Sequence, residues 1–436
     1  MQAVPNARRL AVLFLLTSCA VGRAEFKLTD SDRIVLFGDT AVSEVNTLAV
    51  FDQFVRTKYP DRKPLVCNLG KPRGDVTEGP DRLEREVYPL KPTEVVLCFG
   101  LEGPTREAFN QATLDAHMVV MNNMIEALRG KDIRVALLTP PPTDDKQSRG
   151  LQKLHYRERV DKYAEAIREL GKRVDAPVID WNAAVDKYVK NFSSKKFPGW
   201  TRHGVIPSWY SHTMLADVLL EHWGAEPLDY EISADWKAGT ATASIGTAKV
   251  TEHDDKHLLL DLQGVPTVVN MLGGQGMEPQ DWPLSRWFTY RMTVTNAPDS
   301  QVVISAENMK PLTLPAGELQ SGIDAATTGP LVNQPATLAL HDAILRKCYQ
   351  FTQYRVSTEQ QAPEPELAEG FRLLHAAQCE LALGAQRIAF RMPARFDAEI
   401  RIDAASAAPK ATAAPATPPG GRARPGAKPR RPKPKP

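Results

Sequence analysis

A chain of 436 residues, 42% of them hydrophobic, has room for two domains and a sizeable core. Its formal charge of +2 conceals an asymmetry: from Ala404 onward there are eight basic residues and no acidic ones, which leaves 46 basic against 52 acidic before that point. The folded part is therefore net acidic, and the basic total gives no argument for nucleic-acid binding.

Residues 1–24 read as an export signal. Arg8-Arg9 is a basic start, and Leu10 to Val21 is an apolar run too short to span a bilayer. Gly22-Arg23-Ala24 offers small residues at the cleavage positions, so the mature chain is expected to begin after Ala24, in the periplasm or outside the cell. Leu16-Thr17-Ser18-Cys19 supports a second reading, a lipobox that would anchor the protein at Cys19. No later stretch is long and apolar enough to be a membrane helix.

Ile34-Val35-Leu36-Phe37 is a short apolar run closed by Gly38-Asp39, the pattern of a buried parallel strand ending in a tight turn. A helical segment follows through Val42, Val45, Leu48, Phe51 and Phe54. Pro64 to Asn68 and Glu94 to Phe99 read as the second and third strands. Leu114, Met118, Met121, Ile125 and Leu128 have helical spacing, with Gly130 as the stop. Ile133 to Leu138 is a fourth strand, Val160 to Val174 an amphipathic helix, Pro177 to Asp180 a fifth strand, and Tyr210 to Trp223 a closing helix. Strands alternating with helices predict a three-layer, doubly wound α/β domain over residues 25–224, with a mostly parallel sheet in the flavodoxin-like order 2-1-3-4-5.

From about Ala225 the pattern changes. Thr242 to Val250, His257 to Leu262, Phe288 to Val294, Gln301 to Ser305, Arg387 to Arg391 and Asp397 to Ile402 read as strands, and Leu338 to Tyr354 as a helix. This predicts a second, strand-rich domain of mixed character over 225–403. Residues 404–436 are rich in Ala, Pro, Lys and Arg and are expected to be a disordered tail, with contact to an anionic envelope polymer as its one suggested partner. Cys67 and Cys98 fall on strands that flank the first, about 9–10 Å apart and beyond disulfide reach. Cys348 and Cys379 are the pair that an oxidising compartment would offer. No Cys/His spacing marks a metal site, and no cofactor is expected.

Four blocks of the first domain resemble those of the SGNH/GDSL hydrolases. Gly38-Asp39-Thr40 resembles the first, with Thr40 in the place of the nucleophilic serine. Asn68-Leu69-Gly70-Lys71-Pro72-Arg73-Gly74 resembles the second, with Gly74 at the oxyanion glycine. Phe99-Gly100-Leu101-Glu102 stands for the third, with Glu102 at the oxyanion asparagine. His203-Gly204-Val205-Ile206-Pro207 resembles the last, with His203 at the aspartate and Ile206 at the catalytic histidine.

The resemblance implies a small acyl or carbohydrate-like ligand and ester chemistry, but the reactive groups are replaced. Isoleucine cannot take a proton, and a carboxylate repels an oxyanion that asparagine would stabilise. The reading is therefore an exported, catalytically degenerate member that binds rather than turns over. Two alternatives stand beside it: an active esterase with Thr40 as nucleophile and His203 or His212 as displaced base, and a structural envelope component. Each group also has a structural reading: Thr40 as a helix cap, Asp39 as an acceptor for turn amides, His203 and His212 as ordinary histidines.

Overall fold

The apolar run Ile34–Phe37 forms the body of β1 (Arg33–Gly38), which pairs in parallel with a neighbour on either side. The computed structural model describes residues 26–102, 109–147, 149–191, 199–268, 284–307, 309–326, 329–331, 334–359 and 367–406. The expected signal, the Cys19 lipobox and residues 407–436 of the tail lie outside them. The parallel sheet runs β2-β1-β3-β4-β5, with β2 at Leu65–Gly70, β3 at Glu94–Cys98, β4 at Arg134–Leu138 and β5 at Val178–Ile179. This is the strand order that the sequence predicts.

Successive side chains of a strand point to opposite faces, and both faces here are covered. Ile34 and Leu36 enter one core with Phe51 and Phe54 of α1 (Ala49–Lys58). Val35 and Phe37 enter a second core. The helices that follow are α2 (Gly79–Arg82), α3 (Gln111–Arg129), α4 (Arg149–Leu154), α5 (Tyr156–Val174), α6 (Trp181–Asn191) and α7 (Trp209–His222). In α3 the spaced residues Leu114, Met118, Met121, Ile125 and Leu128 all face the second core, and Asn110 caps the helix by accepting the Ala112 and Thr113 amides. A short hairpin, β6 (Thr201–Arg202) and β7 (Ile206–Pro207), precedes α7.

Two further sheets follow. One contains β8 (Leu228–Asp235), β9 (Thr240–Ala243), β12 (Phe288–Thr295) and β15 (Ile323–Asp324) in the order β15-β12-β8-β9. The other contains β10 (Thr247–His253), β11 (His257–Pro266), β13 (Gln301–Ala306), β14 (Leu312–Pro315) and β16 (Arg395–Ala404) in the order β10-β11-β16-β13-β14. Burial alternates along β8 and β11, so Tyr230, Ile232, Leu258 and Leu260 point inward and meet in one core, as in a β-sandwich. Three helices are inserted: α8 (Ala316–Ser321), α9 (Pro335–Glu359) and α10 (Ala368–Arg391).

Three local expectations are corrected. Thr242 to Val250 is two strands, not one, because the chain turns at Gly246, whose φ of +72° suits glycine. Arg387 to Arg391 is the last turn of α10 rather than a strand. Cys348 and Cys379 are free thiols, as are Cys67 and Cys98.

The helical hairpin α9–α10 lies within the span expected for the second domain, yet α9 packs on the edge strand β2 and on α1. Lys347 of α9 is buried there. Its ammonium donates to Asp52 Oδ2 at 2.7 Å and to the Val66 carbonyl at 2.8 Å. A buried lysine persists only when its charge is paired in this way.

Candidate functional site

Loops leaving the carboxyl ends of β1, β2 and β3 meet at one place, where open α/β sheets bind ligands. Gly38 ends β1 against the neighbouring chain. A Cβ there would lie 1.9 Å from the Cys98 carbonyl oxygen, so no other residue fits without moving the backbone. The next residue, Asp39, is buried and spends its whole carboxylate on backbone amides. Its Oδ1 accepts from Ala41 at 2.9 Å, and its Oδ2 accepts from Gly100, Leu101 and Glu102 at 2.9, 2.8 and 3.1 Å. Burial pushes this carboxyl up to about 6, while the four amides pull it back towards the ionised form. Asp39 thus ties the end of β1 to the loop after β3.

Thr40 opens a single helical turn, Thr40–Val42, and is buried. Its Oγ1 accepts the Arg73 amide N–H at 2.7 Å. Arg73 has a φ of +59°, and this left-handed kink aims its amide at the hydroxyl. The amide of Gly74 instead donates to the Lys71 carbonyl at 3.0 Å. Asn68 braces the opposite side of the turn: its amide group donates to the Val42 and Glu44 carbonyls, and its Oδ1 accepts the Gly70 amide.

Beneath this lies Arg82, which is fully buried. Its guanidinium donates to the Gly38 carbonyl at 3.1 Å and the Leu69 carbonyl at 2.6 Å. It pairs with the equally buried Glu86 at 2.9 Å and stacks over the Phe37 ring at 4.5 Å. Arg82 and Glu86 stand four residues apart, the spacing of a helical ion pair, which is the one signal of this group in the sequence. Nothing in the sequence marks His117, which is buried edge-on to Tyr163 with neither ring nitrogen hydrogen-bonded among the described residues. Burial pushes His117 down to about 4, against the nearby Asp75 charge.

The hairpin β6–β7 lies beside the Thr40–Val42 turn, and Arg202 pairs with Glu44 at 2.6 Å. Ile206, half-buried in β7, belongs to this junction. His203 does not: it stands exposed at the hairpin tip with a φ of +55°. His212 is buried in α7, its ring 6.1 Å from Trp181, and neither of its nitrogens is hydrogen-bonded among the described residues. Burial, with a smaller push from Arg202, holds it down to about 3, so it is neutral at physiological pH. The structure therefore gathers Asp39, Thr40, Arg73 and the buried Glu102 backbone, with Ile206 alongside. Among the described residues, no histidine nitrogen or carboxylate oxygen is hydrogen-bonded to the Thr40 hydroxyl, and no group of three His, Cys, Asp or Glu could hold a metal ion.

No family model matches this chain, and no curated protein matches it. Solved structures do. A gut microbial diltiazem-metabolizing enzyme superposes with a TM-score of 0.65 at 16% identity, over 87% of this chain and 98% of its own. A lipase/acylhydrolase from Enterococcus faecalis gives a TM-score of 0.37 at 23% identity, over 44% of this chain and 95% of its own. An acetylxylan esterase from Geobacillus stearothermophilus gives 0.39 at 17% identity, over 46% and 97%. The first likeness extends through the antiparallel sheets as well as the parallel one, and what it establishes is a shared fold.

Proposed function

We propose that this protein is an exported binding protein on a hydrolase-type fold. Its ligand is an acylated or carbohydrate-like molecule, taken at the carboxyl ends of β1, β2 and β3 without being turned over. The supporting observation is the state of Thr40. Its hydroxyl accepts the Arg73 amide, and no base among the described residues touches it. A hydroxyl without a base is a poor nucleophile at neutral pH. The extra methyl of threonine also restricts the approach geometry. At the position that the family resemblance gives to the histidine stands Ile206, which carries no proton-accepting atom. The ligand class rests on that resemblance, and export on the leader-like residues 1–24.

The test is hydrolysis of p-nitrophenyl acetate and of an acetylated sugar by the wild-type protein and by Thr40→Ala. The expected result is the same slow rate in both. Turnover in wild type that disappears in Thr40→Ala would replace this reading with a threonine-dependent esterase.

A further inference from the structure

Helix α10 is apolar on two sides. Its inner side packs on the core through Ala382, Gln386 and Ala389, and the Gln386 amide donates to the Pro64 carbonyl. Its outer side carries Leu367, Leu374, Leu381 and Ile388, which are 50%, 39%, 56% and 61% exposed. Each follows the last by seven residues, so they lie along one line of the helix surface. Three residues after each comes Gly370, Ala377, Gly384 or Arg391. A Cβ built on Gly370 meets nothing within 4 Å, and one on Gly384 meets only the Arg387 side chain. Among the described residues, eight of the ten large hydrophobic side chains left exposed fall on α9, on α10 or at the residue before α10, so the apolar surface is concentrated here. A contiguous exposed apolar patch of this kind marks an interaction site.

We infer that this face pairs with α10 of a second copy of the chain, antiparallel and about a two-fold axis. The pattern itself selects the arrangement. In an antiparallel register, Leu381 sits opposite Gly384 of the second copy and Ile388 opposite its Ala377, so at these two layers a large side chain meets a small one and the backbones approach closely, while Leu374 meets the aliphatic stem of Arg391. The same register, with no further adjustment, sets Glu380 beside Arg387 of the second copy, and the two-fold axis makes that ion pair twice. A parallel pairing would set glycine against glycine and Arg391 against Arg391, with no opposite charges across the seam. Within one copy Glu380 and Arg387 touch only loosely, at 3.9 Å, with side chains 73% and 64% exposed. That leaves both available to re-pair.

The test uses the full chain in sedimentation velocity over a range of concentrations. A species of twice the chain mass is expected, and Leu381→Glu should reduce it to the monomer with unchanged circular dichroism. Glu380→Arg should weaken the dimer, and adding Arg387→Glu should restore it. A monomer at every concentration would overturn the inference, as would a dimer indifferent to Leu381→Glu. Loss of the dimer in Leu381→Glu without any effect of the charge reversals would overturn the antiparallel register. A monomer that binds phosphatidylcholine vesicles, and loses that binding in Leu381→Glu, would assign the face to a lipid surface instead.

Discussion

Two neighbouring parts of the sheet's carboxyl end differ in what their polar groups do. Around β1, every polar group that shapes the backbone is bonded: Asp39 holds four amides, Asn68 holds the Val42–Glu44 segment, and Arg82 holds the Gly38 and Leu69 carbonyls. In the β6–β7 hairpin, the polar group is turned outward: His203 is exposed at the tip, and the half-buried residue beside the Thr40–Val42 turn is the apolar Ile206. The geometry of a site and its reactivity are separable. Turn-holding groups act on the fold itself, so losing one destabilises the protein, whereas losing a base leaves the fold intact.

The largest effect should come from Asp39→Ala. It orphans four buried amides, at roughly 1–3 kcal/mol each. Urea unfolding should register a loss of about 4–12 kcal/mol, enough to unfold many domains. A loss below about 1 kcal/mol would show Asp39 to be dispensable to the fold and remove the difference between the two regions. Arg82→Met comes next, at about 3–5 kcal/mol, since it leaves Glu86 buried without its partner. Adding Glu86→Leu should recover part of that loss, as both charges are then gone while the Gly38 and Leu69 carbonyls still lack their donor.

The buried histidine sharpens the comparison through pH. Burial holds His212 down to about 3 from an ordinary 6.5. As pH falls below 6.5, the unfolded chain therefore takes up a proton that the folded state refuses, and stability is lost on acidification. Asp39 works the other way. Raised by burial from 3.8 to about 6, its share is full below 3.8 and lost as pH rises through about 6. Replacing His212 with Phe isolates the first effect. The gap in unfolding free energy between wild type and His212→Phe should change by about 1.4 kcal/mol per pH unit between about pH 4 and 6. A flat difference would mean that His212 is protonated in the folded protein. The smallest effect belongs to His203→Ala, within about 0.5 kcal/mol, because the side chain is exposed.

Much of this was legible beforehand, for physical reasons. β1 announces itself because a strand buried on both faces must be apolar at successive positions and must end where the chain turns. The order of the five strands follows from alternation with helices and from the rules for crossovers. What stayed hidden depends on backbone direction or on distant packing. Nothing in the residue types says that Arg73 adopts a φ of +59° and sends its own amide, rather than that of Gly74, to Thr40. The end of α10 reads as a strand because Ile388 and Ala389 are apolar on opposite sides of a helix that carries two apolar faces. Lys347 reads as a surface charge until Asp52, 295 residues earlier, comes to meet it.

The most direct measurement of the central claim is covalent labelling of the intact protein. A fluorophosphonate reacts with a hydroxyl only where a base and an oxyanion site activate it. Intact-mass analysis after long incubation at neutral pH should find the wild-type chain unmodified, and peptide mapping should find Thr40 unlabelled. A stoichiometric adduct on Thr40 would contradict the account, because it would require an activated nucleophile at the end of β1.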